Sequence, residues 1–178
     1  MSLGLPAGAV RLAPADPAWA PAFADERGCV LAALDPLPAA VEHVGSTAVP
    51  GLPAKPILDV AVGRPPGGAL APYVEALEAA GYRYRGEHGL PGRHYFVRDD
   101  AAGRRTHHLH LVEHGGALWR SQLAFRDHLR RAPERAAAYA ALKRALAARY
   151  PTDRAAYTDA KAAFIAETLA SEPGAHAA

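Results

Sequence analysis

Apolar positions change their period along the chain, and each change predicts an element. Over residues 17–34, Trp19, Phe23 and Val30 recur at helical spacing. Asp16 stands where a helix cap belongs, Pro17 at the first helical position, and Pro36 and Pro38 end the run. Ahead of it, residues 10–12 read as a short edge strand or an extended lead-in. Residues 41–44 read as a strand, 45–56 as a turn-rich segment, and 57–62 as a strand whose apolar run predicts burial on both faces. A loop over 63–68 leads to a helix carrying Leu70, Val74 and Leu77, with Gly81 as its closing glycine. Strands over 82–85, 93–98 and 107–112 follow, joined by hairpin loops at 89–92 and 99–103. From Trp119 to Leu169 the pattern is helical, and Pro133 and Pro151 divide it into three helices. Residues 171–178 read as a frayed tail. The expected class is α/β (α+β): one mixed sheet of five strands, helices mostly on one face, and a helical C-terminal third.

Composition narrows this only slightly. The 178 residues suit a single domain over 1–178 with its core at about 10–170. Half of them are hydrophobic and 21% are charged, a globular balance. A formal net charge of +2 with no long basic block does not announce a nucleic-acid surface. The one cysteine, Cys29, excludes an internal disulfide, and its apolar neighbours Val30 and Leu31 predict a buried small hydrophobe. The opening MSLGLPAGAV has neither the basic start nor the apolar stretch of a signal peptide. No apolar run reaches the roughly 18 residues that span a bilayer. The expectation is a cytoplasmic protein with no membrane partner.

Chemistry concentrates in residues 43–61. Gly45 follows a strand and lets the backbone approach a phosphate closely; Ser46 adds a hydroxyl and Lys55 a point charge. Asp59 falls within a buried strand, on one face with Ile57 and Ala61. A carboxylate there requires a cation or hydrogen-bond donors. It serves a ligand, or it caps a neighbouring helix. In His107-His108-Leu109-His110, alternation sets His108 and His110 on one face, where two imidazoles can share a metal or a phosphate, or form a polar strand face with no ligand. Tyr139, Lys143, Leu146 and Tyr150 share one helical stripe, as do Tyr157, Lys161 and Phe164. Their lysines either snorkel at the edge of the core or line an anion-binding cleft. Arg126-Asp127 reads as an internal ion pair that locks its helix to the sheet.

The run His43-Val44-Gly45-Ser46-Thr47-Ala48-Val49-Pro50-Gly51-Leu52-Pro53-Ala54-Lys55-Pro56-Ile57-Leu58-Asp59 resembles the signature of GrpB-like proteins. Residues 77–82, 107–110, 124–130, 139–143 and 157–165 extend the resemblance over about 10–169. It implies the nucleotidyltransferase superfamily and the fold of the DNA polymerase beta palm, in a family also found fused to dephospho-CoA kinases. The implied activity is transfer of a nucleotidyl group from a nucleoside triphosphate to a small acceptor. The alternatives are a non-catalytic nucleotide- or phosphate-binding module and a metal-dependent phosphohydrolase. Ser46 and Asp59 would be catalytic. Gly45, Ser46, Thr47, Lys55, Lys143 and Lys161 would hold the nucleotide. Asp59, His108 and His110 would hold a divalent cation, Mg2+ or Mn2+, with Zn2+ or Ni2+ admitted by the imidazoles. The partner would be a nucleotide or another phosphate-bearing small molecule, not a nucleic acid. The superfamily's second acid should fall at position 61, and this chain has Ala61 there.

Overall fold

The computed structural model describes residues 3–6 and 8–171; residues 172–178 of the expected frayed tail lie outside them. The elements run α1 (Trp19–Leu34), β1 (Ala40–Val44), a 3-10 turn (Ser46–Ala48), β2 (Leu58–Arg64), α2 (Ala71–Ala79), β3 (Arg83–Tyr84), β4 (His94–Asp99) and β5 (Arg105–Glu113). Four helices follow: α3 (Ala117–Arg131), α4 (Pro133–Arg149), α5 (Arg154–Asp159) and α6 (Ala162–Ala170).

The five strands form one mixed sheet in the order β1-β2-β5-β4-β3. Only β2 and β5 are parallel neighbours; the other pairs are antiparallel. β2 occupies an interior position, which explains its near-continuous apolar run: Leu58, Val60, Ala61 and Val62 have no exposed surface. Val60 and Val62 with Leu109 and Leu111 face α1 and α2, where Val30, Leu34, Tyr73 and Leu77 complete the larger core. The opposite face carries Val44, Ala61 and Val112 against Trp119 of α3. The helices therefore cover both faces, rather than mostly one as expected. An interior parallel pair needs cover on each side to keep its apolar residues from water.

Several local expectations shift. Residues 10–12 form no strand; Ala13 makes the nearby bridge, to Ala54. Helix α1 begins at Trp19, because Asp16 holds a preceding turn by accepting from the Ala18 and Trp19 amides. Cys29 is exposed, because the buried stripe of α1 runs through Glu26, Val30 and Leu34. The last helical stretch is broken at Ala160–Lys161 into α5 and α6. No proline or glycine marks that break in the sequence. Arg126 locks α3 to the sheet through Glu42 and the His43 carbonyl of β1, not through the expected pair: Asp127 is its neighbour on the same helix and only holds the guanidinium. Among the described residues, no helix is long and apolar enough to cross a membrane.

Candidate functional site

The site forms where β1 and β2 meet. β1 gives way to Gly45, whose φ of 68° sits in the left-handed region. A Cβ added there would fall 2.4 Å from Asp59 Oδ2, so only glycine lets the backbone rest against that carboxylate. Asp59 pairs with Val44 on one side and with His108 on the other, and Ala61 pairs with His110. This register turns Asp59, His108 and His110 to the same face.

His108 Nδ1 lies 2.8 Å from Asp59 Oδ1, and Arg154 of α5 donates to His108 Nε2 at 3.0 Å. A guanidinium has only donors, so Nε2 accepts and the ring proton sits on Nδ1, donated to Asp59. The ring is neutral: burial pulls it down to about 4, and the charges of Arg154 and Lys55 reinforce that against the pull of Asp59. Burial would push the Asp59 carboxyl up, but the hydrogen bond from His108 and the nearby His110 imidazole outweigh it and hold the group well below the usual range. Asp59 is therefore a carboxylate at neutral pH, with its side chain 29% exposed.

Above it opens a cleft of about 250 Å3. Gly45, Ser46, Asp59, His110 and Lys161 form its polar side; Phe125, Tyr139, Ile165 and Leu169 form the apolar side. Lys161 stands at the break between α5 and α6, with Nζ 4.4 Å from the centre of the Tyr157 ring. The same ring lies under Lys55 Nζ at 5.4 Å. Burial lowers Lys161 to about 8 despite Asp59, with Arg154 adding repulsion. Burial lowers Lys55 to about 7, helped by Arg154 and Lys161. Lys143 is only 2% exposed and donates to Ser46 Oγ at 3.0 Å and to the Pro53 carbonyl at 2.5 Å. Burial and then the charge of Lys161 bring it to about 7.

The structure thus brings Gly45, Ser46, Asp59, His110 and Lys161 to one cleft, with His108 behind Asp59 and Lys143 behind Ser46. Two expected residues stand apart. Thr47 is buried, with its hydroxyl 2.9 Å from His43 Nε2, and that ring stacks on Phe23 of α1. Lys55 approaches Tyr157 without lining the cleft. The expected metal set does not fit a cation. Both ring nitrogens of His108 are engaged, His110 Nε2 lies 4.0 Å from Asp59 Oδ1, and Ala61 offers no donor. Among the described residues, no group of three or more His, Cys, Asp or Glu side chains is placed to hold a metal ion.

The chain matches the family described as GrpB protein over residues 9–171. It belongs to the GrpB family. It is similar to a UPF0157 protein of Pseudomonas aeruginosa, 44% identical over 90% of this chain and 66% of that protein. The UPF0157 protein YqkA of Bacillus subtilis is 37% identical over 83% of this chain and 42% of its own length. The chain thus spans less than two thirds of these two relatives. The glutamate-rich protein GrpB of Alkalihalophilus pseudofirmus is 32% identical, over 94% of this chain and 98% of that protein. A solved structure of the conserved protein GrpB from Enterococcus faecalis superposes with a TM-score of 0.79 at 35% identity, covering 89% of this chain and 94% of that one.

Sequence reasoning missed four residues of this GrpB site. Tyr95 lies opposite His110 across β4 and β5, its ring 5.7 Å from His108 and 5.4 Å from His110. Alternation along β4 gives Tyr95 a face, but only the register shows which imidazoles it meets. Arg154 arrives from a short helix with no sequence signal linking it to His108. Phe125 and Gln122 reach the cleft from α3. Gln122 Oε1 and His110 Nδ1 are buried there without a protein partner.

Proposed function

We propose that this cleft holds the phosphate group of a small phosphate-bearing molecule, with Ser46 and Lys161 as its direct contacts. The observation that carries the reading is a charge imbalance: Lys55, Lys161 and Arg154 crowd one carboxylate, Asp59, beside an open cleft. Burial and the charge of Arg154 pull both lysines down, with Lys161 adding to the repulsion at Lys55, and a phosphate dianion would relieve that repulsion. Gly45 supports the reading by leaving room for a close backbone approach. The likeness of residues 43–59 to the nucleotidyltransferase pattern favours a nucleotide as the phosphate carrier and a palm-like parentage for the fold. Nucleotidyl transfer by paired cations needs paired carboxylates, and Ala61 leaves Asp59 as a single one. Cation-dependent nucleotidyl transfer is therefore left out of the proposal, which is phosphate binding at this cleft.

Thermal unfolding with inorganic phosphate, AMP and ATP tests it. At about a hundredfold excess over Kd, binding should raise the midpoint by roughly 5–10 °C, and Lys161→Gln should remove the rise. No rise with any of the three, or an equal rise in the variant, would contradict the proposal.

A further inference from the structure

Lys143 does not line the cleft; it stands behind Ser46, which does. Its Nζ touches Ser46 Oγ and the Pro53 carbonyl, and lies 4.8 Å from the centre of the Tyr139 ring. Among the described residues no carboxylate lies within ion-pair reach of it. A phosphate in the cleft would meet Ser46 before it met this amine. Burial without a counter-ion favours the neutral form of a lysine, and the nearby ammonium of Lys161 acts in the same direction. A neutral amine accepts a proton through its lone pair while its N–H groups continue to donate to Pro53. Ser46 follows the left-handed turn at Gly45 that ends β1, so a sharp reversal sets the hydroxyl between the amine and the cleft.

We propose that Ser46 and Lys143 form a nucleophile–base pair that acts on a carboxylic ester whose leaving alcohol carries a phosphate, with the acyl chain against Phe125, Ile165 and Leu169 on the apolar side of the cleft. This rests on the phosphate reading of the cleft for its substrate class. Ser46 Oγ bonds to the acyl carbon as its proton passes to Lys143 Nζ. The ester C–O bond then breaks, and the alcohol leaves with that proton. Water attacks the acyl-serine, giving a proton to Lys143, which returns it to Ser46 as the carboxylic acid departs. Lys161 faces the phosphate of the leaving group. A serine activated by a neighbouring lysine is an established variant of nucleophile–base chemistry on unrelated folds.

A fluorophosphonate probe tests the pair, since an activated serine displaces its fluoride and keeps the phosphonyl group. Peptide mass spectrometry should place the adduct on Ser46, and Ser46→Ala should abolish it. Lys143→Met should slow labelling by about 100-fold or more, with circular dichroism reporting whether the variant is folded. The unaltered protein gives a test independent of any variant: the labelling rate should rise through about pH 7 and then level off. No adduct, an adduct elsewhere, or a rate that climbs without a plateau to about pH 9 would overturn the pair and leave Lys143 as a tie between α4 and the 46–53 loop. Inorganic phosphate separates the two claims. If it raises the unfolding midpoint while Ser46 stays unlabelled, the phosphate reading stands and the pair falls. If Ser46 is labelled and phosphate neither slows labelling nor raises the midpoint, the pair stands and the phosphate-bearing substrate class falls.

Discussion

Asp59→Asn removes the negative charge that Lys55, Lys161 and Arg154 share and leaves the side chain's size unchanged. His108 then donates to a neutral acceptor, and stability should fall by about 1–3 kcal/mol. The same change removes the group that competes with an anion for those cations, so inorganic phosphate should bind several-fold more tightly. Urea unfolding and a phosphate titration read the two effects, and weaker phosphate binding would show that Asp59 serves the ligand through a cation. Gly45→Ala combines a strained φ with a Cβ placed 2.4 Å from Asp59 Oδ2. It should cost about 2 kcal/mol or more, and an unchanged urea midpoint would refute the close approach. The importance of Gly45 was legible in the sequence as a glycine between a strand and a serine. Its reason was not, because the atom it avoids lies fourteen residues away on another strand.

At the level of elements, α3 is tied to β1 by apolar packing of Trp119 with Val44 and by Arg126, whose guanidinium reaches Glu42 and the His43 carbonyl. Arg126→Ala leaves that buried carbonyl without its donor and should cost about 1–3 kcal/mol. Chemical denaturation should show a lower midpoint with an unchanged slope; an unchanged midpoint would mean that apolar packing alone holds α3. Only the Arg126–Asp127 neighbours were readable in the sequence; the partners on β1, Glu42 and the His43 carbonyl, lie more than eighty residues away and were not. Strand identities were readable too, because a two-residue period and flanking turns are local features. The break between α5 and α6 was not: Ala160 and Lys161 are ordinary helical residues, and Lys161 leaves the helical line where it meets Tyr157 and the cleft. Cover on both sheet faces was equally hidden, since it follows from β2 and β5 being interior parallel neighbours.

The whole molecule should be acid-sensitive. Burial lowers His43, His107 and His108 from 6.5 to about 4. Between those values the unfolded chain binds more protons than the folded one, so stability falls as pH drops from 6.5 towards 4. Each histidine contributes up to about 1.4 kcal/mol per pH unit across that window. Lys55, Lys143 and Lys161 are lowered from 10.5 to about 7, 7 and 8. By the same sign, stability should also rise from neutral pH towards about pH 9. Bound phosphate should flatten that upper window, because it returns the cleft lysines towards their ordinary values. Unfolding free energies at about pH 5, 7 and 9, with and without phosphate, check both slopes; a folded state more stable at about pH 5 than at about pH 7 would refute the buried neutral histidines. At the cleft, Ser46 and Lys161 are expected to receive an anion while Asp59 holds no cation. A crystal soaked with ATP and Mn2+, recorded at the manganese absorption edge, tests it most directly. Phosphate density is expected against Ser46 and Lys161, with no manganese peak at Asp59. A manganese peak joining Asp59 to His110, or nucleotide bound away from Ser46, would contradict it.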